Sequence, residues 1–436
     1  MRRKAMAVCL LGAAVLLAGC GGGGSAKGVK TFTEPGTVNG EVTSAKRNES
    51  TVLIKAGGAA LINNAELSRK YAGKAGKADT AVVLLEAGKA VVKNSNLTSD
   101  AAGSAGILIG DTAEVEIADT ALSTAGEQSP GIQTRGSGAL YAWDNMIGTT
   151  GNNSAALSVG KDASMTLSGG TFTATGEHAP AVSAAGKGWI NAATLTAGNA
   201  EALTLEDGAQ LSLYDCHISG NMPEPGGNQK NAAVILRRAE NSEANVTAPQ
   251  LLLSGGTLRA QRGNLFYVDA ADASIVVKNV TLAVDVAQGN LLLASNGAKS
   301  SLSAYGEMME GHLVSEEDAS AAIYLRDVTK FTGDVQLLPG PGKAEAPGIA
   351  LYIDGTSIWV VNGNSTLRAL YAEGLVKDDK GLDVTIQGED GTVYQKGKSA
   401  YTVTVTGEYK TSADFRGAGT ADEFAAHAAE RPESLR

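Results

Sequence analysis

Residues that could perform acid–base chemistry are scattered along this sequence of 436 residues. Cleavage of a sugar polymer needs clustered carboxylates, usually with a basic residue close by. The one Asp-Asp pair, Asp378-Asp379, lies in a polar stretch that is typical of a solvated turn. Asp215 and the pair Arg237-Arg238 lie on other predicted strands. Their spacing in the sequence does not predict that they lie close together. We therefore expect a protein without catalytic residues, and a polysaccharide lyase or hydrolase is the alternative.

Metal and cofactor sites are not indicated by the spacing of possible ligands. The four histidines include no pair with the spacing of a zinc site. They are His178, His217, His312 and His427. Asp and Asn at predicted corners could bind calcium, although turn geometry explains these residues without a metal. We expect neither a metal nor a cofactor.

Three aromatic side chains are the candidates for contact with a ligand. Tyr141 and Trp143 are two residues apart, so on a strand they lie on the same face. Trp189 occupies the matching position two repeat units later. If these rings face outward, they predict a strip on which sugars could stack. Packing in the core or at a cap is the favoured interpretation, above all for Trp359 near the end of the repeats.

The N-terminus has the organisation of an export signal. Three basic residues at positions 2–4 precede an apolar run at 5–17 that is too short to span a membrane comfortably. The run ends in Leu17-Ala18-Gly19-Cys20, which resembles a bacterial lipobox, where the signal is cleaved before a cysteine that receives a diacylglycerol. We predict a signal peptide at 1–19 and lipidation at Cys20. A flexible tether rich in glycine and serine then extends to residue 35.

These features predict a location in the cell envelope, on the extracellular side, with the membrane as partner through acyl chains. Residues 1–19 hold three of the 36 Lys and Arg, which leaves 33 against 46 Asp and Glu. An acidic chain of this kind does not favour nucleic acid. Cys216 is the only thiol left beyond Cys20, so we expect no disulfide and interpret Cys216 as a small buried apolar residue.

The elements that position these residues follow a repeat of about 25 residues. Each unit has an apolar strand, a turn, an alternating strand, a Gly, Asn or Asp corner, and a short third strand. Units begin at residues 81, 107, 132, 156, 181, 202, 265 and 351. Strands of three to five residues with alternating polarity bury one side only. Three such strands in each unit predict an all-β chain with a parallel β-helix over residues 36–370.

Right-handed winding is expected for such a coil, with roughly 13 coils in a rod about 60 Å long. A string of β-sandwiches is disfavoured because sandwich strands are longer and their turns do not fall in triplets. Residues 371–410 predict an antiparallel C-terminal β cap, and residues 411–436 a polar tail, as a short helix or a frayed end. Insertions at 220–230, 238–250 and 304–320 are candidate ligand-contact loops.

Several segments resemble exported right-handed parallel β-helix proteins of bacteria, which have the pectin-lyase-like fold and are often labelled adhesin-like. The resemblance covers about residues 50–370, and its segments are 129–135, 154–158, 169–174, 255–260 and 263–267. Residues 355–367 are similar to the last coils of autotransporter passengers. The resemblance implies a non-catalytic, surface-displayed protein that binds glycans or host or matrix polymers. It leaves the ligand and the oligomeric state open.

Overall fold

The computed structural model describes residues 26–73, 79–222, 230–239, 246–285, 287 and 289–436. Cys20, the predicted signal and most of the predicted tether lie outside these residues. Within them the regular elements are β-strands and two short 3-10 turns, η1 (Phe424–Ala426) and η2 (Glu433–Leu435). None of the described helical turns is long and apolar enough to cross a membrane.

The strands are short and follow one another with small gaps. The first half of the chain contains β1 (Lys27–Phe32), β2 (Pro35–Ser44), β3 (Glu49–Ile54), β4 (Ala59–Arg69), β5 (Ala81–Leu85), β6 (Lys89–Lys93), β7 (Asn96–Ser99), β8 (Ala105–Ile109), β9 (Glu114–Ala118), β10 (Ala121–Thr124), β11 (Ile132–Thr134), β12 (Ala139–Trp143), β13 (Met146–Thr149), β14 (Leu157–Val159), β15 (Ser164–Ser168), β16 (Thr171–Glu177), β17 (Val182–Ala184), β18 (Lys187–Asn191), β19 (Thr194–Asn199), β20 (Leu203–Leu205), β21 (Gln210–Tyr214) and β22 (His217–Gly220). The second half contains β23 (Ala232–Arg237), β24 (Gln250–Ser254), β25 (Thr257–Ala260), β26 (Asn264–Asp269), β27 (Asp272–Lys278), β28 (Thr281–Ala283), β29 (Leu292–Ser295), β30 (Lys299–Tyr305), β31 (Met308–Glu310), β32 (Leu313–Glu316), β33 (Ser320–Arg326), β34 (Lys330–Gly333), β35 (Val335–Leu338), β36 (Gly348–Ile353), β37 (Ile358–Val361), β38 (Ser365–Ala372), β39 (Leu375–Asp378), β40 (Thr385–Gly388), β41 (Val393–Gln395) and β42 (Thr402–Lys410).

These strands wind into a right-handed parallel β-solenoid of about 13 turns, which confirms the predicted fold class. Face 1 is the sheet of β1, β3, β5, β8, β11, β14, β17, β20, β23, β26, β29, β32 and β35. Face 2 runs from β4 through β6, β9, β12, β15, β18, β21, β24, β27, β30, β33 and β36 to β38. Face 3 runs from β4 through β7, β10, β13, β16, β19, β22 and β25 to β28, and β31, β34, β37 and β39 follow.

Equivalent residues of successive coils lie directly over one another. Ile107, Ile132, Leu157 and Val182 form one inward column on face 1, one residue from each coil. Such columns make a continuous core in which these four side chains are at most 1% exposed. The interior is therefore stabilised by apolar stacking between coils as well as by hydrogen bonds between their strands.

The corner between face 2 and face 3 turns on residues with a left-handed backbone. Asn94, Asp119, Asp144 and Asp215 occupy it with φ of 48°, 48°, 52° and 50°. Asn and Asp tolerate this conformation better than other residues with a Cβ, and glycine takes it freely. The prediction that Gly, Asn and Asp mark this corner is confirmed in these coils, while Ala192 takes the same place in another coil with φ of 52°.

Two buried residues have the structural places that the sequence indicated. Cys216 is 2% exposed, and its thiol donates to the carbonyls of Ile190 and Tyr214. Burial raises the pKa of this thiol to about 11. Trp359 is fully buried, stacks on Phe331 and donates through Nε1 to the Gly333 carbonyl at 2.9 Å. Both residues therefore belong to the core of the solenoid.

The first coil begins earlier than the sequence indicated. β1 (Lys27–Phe32) lies inside the segment expected to be tether, and it pairs in parallel with β3. β1 is the edge strand of face 1 among the described residues, which accounts for its mostly polar composition. Because β1 has few apolar residues, the alternation of apolar and polar residues does not reveal it in the sequence.

The C-terminal end also differs in part from the expectation. The predicted antiparallel pair is present as β40 and β41, which confirms the hairpin. β42, however, pairs in parallel with β38 and β40, so it adds another strand to face 2. Asp378 is 5% exposed and accepts from the backbone of Lys380 and Leu382, so it closes a turn from a buried position and is not solvated as expected.

The segment 304–320 is not an insertion into the coils. It contains the end of β30, then β31 and β32. β30 and β32 pair with the coils on either side, and β31 pairs with β34 of the next coil. The loops predicted at 220–230 and 238–250 lie partly outside the described residues, which leave out 223–229 and 240–245. The unusual polarity of 304–320 reflects an ordinary coil with charged residues at its turns.

Candidate functional site

A polar groove lies on the outer surface of face 1, and its floor comes from four consecutive coils. Gln133, Ser158, Ser183 and Thr204 are register neighbours on β11, β14, β17 and β20, and all four side chains point outward. We call this cavity of about 400 Å³ the face-1 groove. The small side chains of Ser158 and Ser183 lower the floor here and, with the partly exposed Gln133, present hydroxyl and amide groups to the groove. Thr204 is 2% exposed, and its hydroxyl donates to Glu201.

The same outward column is apolar before and after the groove. Towards the N-terminus it contains Leu108, Leu84 and Leu53, and towards the C-terminus Ile235, Tyr267, Leu293 and Val314. The column is polar again at Thr31 and Gln336 in its two end strands, so the polar stretch of the groove is flanked by apolar coils on both sides. Since leucine is accepted at the equivalent place in other coils, folding does not demand the small polar residues of the groove.

One rim of the groove carries two arginines that are held by ion pairs. Arg135 contacts Asp79 at 2.9 Å and donates to the Gln133 amide oxygen at 3.1 Å. Arg237 donates to Glu206 through Nε and an NH2 group at 3.1 and 2.8 Å. These pairs fix the direction of the guanidinium groups and keep further N–H donors directed along the rim.

The opposite rim is formed where the chain turns into face 1. Gln128, Asn153 and His178 stack there in successive coils with φ of 55°, 55° and 53°. Glu201 follows in the next coil and accepts a hydrogen bond of 2.6 Å from the hydroxyl of Thr204. This rim offers an amide, imidazole or carboxylate group at the same place in each of four successive coils.

The carboxylates of the groove are held apart by the strand between them. Glu201 and Glu206 lie before and after β20 (Leu203–Leu205), so their backbones are about 16 Å apart on an extended chain. Glycoside hydrolases place two carboxyl groups about 5–9.5 Å apart across the reacting bond. The arrangement suits hydrogen bonding along an extended ligand better than acid–base attack at a single bond. Among the described residues, no three His, Cys, Asp or Glu form a group that could hold a metal ion.

The three aromatic residues singled out in the sequence lie on the outer surface of face 2. Tyr141 and Trp143 point outward from β12, while Leu140 and Ala142 between and beside them point into the core. Tyr141 is in register with Thr166 and then with Trp189, two coils later. The structure therefore brings the three rings to one outer face, as the alternation indicated.

This face is covered by residues 411–436, which we call the tail. The tail leaves the end of β42 and runs back along face 2, where it makes its last contacts beside β6. The ring of His427 lies on Trp189 with a centroid distance of 4.9 Å, and Leu435 packs beside Trp143. Trp143 is only 8% exposed as a result. The expected frayed end is thus an ordered segment, since it finds apolar and charged partners on face 2.

The aromatic residues were expected to pack in the core or at a cap, and this interpretation is correct only in part. Tyr141, Trp143 and Trp189 do pack, but against the tail and outer residues of face 2, outside the main core. A sugar could stack on these rings only after the tail has left. Their predicted contact with a sugar stays a prediction.

The face-1 groove was missed in the sequence, although a signal for it exists. The middle residue of the first strand is Leu in the earlier units, at positions 53, 84 and 108. In the four units that form the groove it is Gln133, Ser158, Ser183 and Thr204. This change is visible in the sequence only once the strands of successive units have been aligned in their register. Arg237 and Glu206 were likewise separate in the sequence and meet because their coils are adjacent.

No protein-family model matches the chain, and no curated protein matches it significantly.

Proposed function

We propose that this protein is a non-catalytic, lipid-anchored solenoid that is displayed on the cell surface and binds an extended glycan in the face-1 groove. The observation that carries the proposal is the partly exposed polar floor of Gln133, Ser158 and Ser183, which lies between apolar stretches of the same column. A ladder that offers similar groups at every coil, about 4.8 Å apart, suits a polymer with repeated hydroxyl groups.

The charges of the rims support a neutral or weakly acidic polymer as ligand. Arg135 and Arg237 are already paired with carboxylates, so they act as directed donors with little net charge. Lys161, also on the rim, has no ion-pair partner within the described part of the chain. The ammonium group of Lys161 beside the polar floor would attract the carboxylate of a uronate or other acidic sugar.

The lipid anchor fits the geometry of this rod. Only six residues separate Cys20 from the start of β1 at Lys27, so the first coil is within about 25 Å of the lipidated residue. A short connection would keep the N-terminal end of the solenoid near the membrane. The groove begins at the coil of β11, four coils further along face 1.

Binding to immobilised polysaccharides tests the groove directly. The double substitution Ser158→Leu and Ser183→Leu copies the leucines found at the same column in other coils, so the fold should persist. The wild type is first tested against a panel of neutral glycans and polygalacturonate. We expect the double variant to bind at least tenfold more weakly to the polysaccharide that the wild type retains. Ser123→Leu, at an exposed position of face 3, is the matched control. Equal binding by both variants would exclude the groove as the site.

The second candidate function is a polysaccharide lyase or hydrolase of the pectin-lyase-like fold. The observation that favours it is the presence of Asp79, Glu201 and Glu206 together with basic side chains along one groove. Incubation with polygalacturonate and neutral glycans would produce new reducing ends or unsaturated products. Loss of that product in Glu201→Gln or Glu206→Gln would establish the enzyme, whereas binding without any product supports the first proposal.

A further inference from the structure

The tail is attached to face 2 by four apolar or aromatic side chains that are well separated along it. Phe415 lies against Tyr324, Phe424 against Tyr214, and His427 stacks on Trp189. The fourth anchor, Leu435, is 2% exposed. Between them the tail consists mainly of Gly, Ala and charged residues. The contacts therefore resemble those of an extended peptide with a few anchors on a receptor surface.

Polar contacts fix the register of these anchors. The Asp422 carboxylate accepts from the Tyr214 hydroxyl at 2.7 Å, and the Gly419 N–H donates to Ser303 Oγ at 2.8 Å. Tyr305 donates to the Gly419 carbonyl. Burial, with help from Asp422, raises the pKa of Tyr214, so its hydroxyl stays a donor at neutral pH.

One tail residue is recognised by charge. Arg431 forms ion pairs with Asp119 and Asp144, which occupy the same corner of two successive coils. The distance to Asp144 is 3.5 Å. Next to this corner, Lys93 donates to the carbonyl of Ser434 at 2.6 Å. Face 2 thus has an acidic site for one basic side chain, at a fixed distance from the places where the aromatic anchors pack.

The solenoid does not depend on the tail for its core. In the described part of the chain, the main apolar cluster ends with Val405, and Tyr409 packs against it. From residue 411 onward the tail forms no strand and pairs with none of the described strands. The tail spans about 50 Å, from the coil of β38 to that of β6, with side-chain anchors as its main attachments. Such a segment can leave the surface without disrupting the coils.

We propose that face 2 is a peptide-binding surface, and that its partner is the tail of a second copy of this chain. Every contact described above can be made equally by the tail of a neighbour, because both copies carry the same tail and the same face. At low concentration the chain's own tail is favoured, since its effective concentration at the face is high. At high density the tails exchange and link two copies. The proposal does not depend on the glycan groove.

A pair of charge-reversed variants tests exchange between copies. In one, Arg431→Asp places a carboxylate opposite Asp119 and Asp144, so the tail is repelled from its own face. In the other, Asp119→Arg and Asp144→Arg repel the native Arg431. Each variant alone should be a monomer with a detached tail. Mixed, they should form a heterodimer by sedimentation, because each tail then fits the other copy's face.

Two outcomes are decisive for this mixture. A heterodimer that disappears when residues 411–436 are removed from both variants supports the proposal. Monomers at every concentration up to the solubility limit would overturn it. The wild type mixed with itself under two different tags provides the reference for exchange with unaltered charges.

A synthetic peptide of residues 411–436 provides an independent readout. It should bind the protein that ends at residue 410 and bind the full chain at least tenfold more weakly, because there the face is occupied. Circular dichroism of the shortened protein checks that the coils remain. Absence of peptide binding to a folded, shortened protein would overturn the proposal regardless of the mixing result.

Discussion

The imidazole of His427 is stacked on the indole of Trp189, with ring centroids 4.9 Å apart and planes inclined by 16°. This contact joins the tail to an outer residue of face 2, and 238 positions separate the two residues in the sequence. It explains why an outward-facing tryptophan is only partly exposed. The tail, rather than the core, is therefore what shields the aromatic residues of this face.

Removal of residues 411–436 should expose two of the three tryptophans to solvent. We expect the fluorescence emission to shift to longer wavelength and quenching by acrylamide to increase, since Trp143 and Trp189 lose their tail contacts. Trp359 is fully buried among the coils and should not respond. Measuring the same deletion in a Trp143→Phe, Trp189→Phe background isolates Trp359. An unchanged emission spectrum in the wild-type background would show that the tail does not cover the face.

The coils could be predicted from the sequence because their information is local and repeated. Three short strands in each unit and a corner of Asn, Asp or Gly recur about every 25 residues, and the same spacing sets the register. The position of the tail could not be predicted, since its polar, Ala-rich sequence contains no periodicity. Its partners, such as Asp119 for Arg431, are 312 residues away. The groove could not be predicted without the register of the strands, because this register brings Glu206 next to Arg237 although 31 positions separate them.

Cys216 should be chemically inert in the folded protein. Burial raises the pKa of its thiol to about 11, so little thiolate forms at pH 8. In a protein that is expressed without residues 1–19 and carries Cys20→Ala, we expect negligible reaction with a disulfide reagent over hours, followed by one equivalent after unfolding in denaturant. A reaction at the rate of a free thiol before unfolding would contradict the buried position.

Trp359 should contribute strongly to the stability of the last coils. Trp359→Ala removes a fully buried ring that stacks on Phe331, so we expect a loss of about 3–5 kcal/mol in the free energy of unfolding. Trp359→Phe keeps the stacking and loses the hydrogen bond to Gly333, and should cost much less. Denaturant unfolding followed by circular dichroism measures both. Equal losses for the two variants would show that the ring is not the stabilising group.

The proposed lipid anchor predicts a change in location for one substitution. Cys20→Ala removes the thiol that would be acylated, so the expressed protein should leave the membrane fraction and lose incorporated radioactive palmitate. Cys216→Ala is the matched control, because its thiol is buried in the solenoid. Retention of both the label and the membrane location in Cys20→Ala would refute the anchor.

Glu307 should make the stability of the solenoid depend on pH between about 4.5 and 7. Its side chain is 1% exposed, and Oε1 accepts the Val280 N–H at 2.8 Å, while Oε2 has no hydrogen-bond partner among the described residues. Burial raises the pKa of Glu307 from 4.5 to about 7. The folded state therefore retains a proton that the unfolded chain releases, so the contribution of Glu307 to stability is highest below pH 4.5 and falls as the pH rises through 7.

Glu307→Gln isolates this effect because the amide oxygen can still accept from Val280 while the side chain no longer titrates. The free energy of unfolding of the wild type, relative to this variant, should fall by about 3 kcal/mol from pH 4.5 to above pH 7. Denaturant titrations at several pH values measure the difference. The exposed Glu310, in the same coil, offers Glu310→Gln as the control, and this variant should follow the wild type. Parallel profiles for the wild type and Glu307→Gln would mean that Glu307 ionises in the folded protein as it does in the unfolded chain.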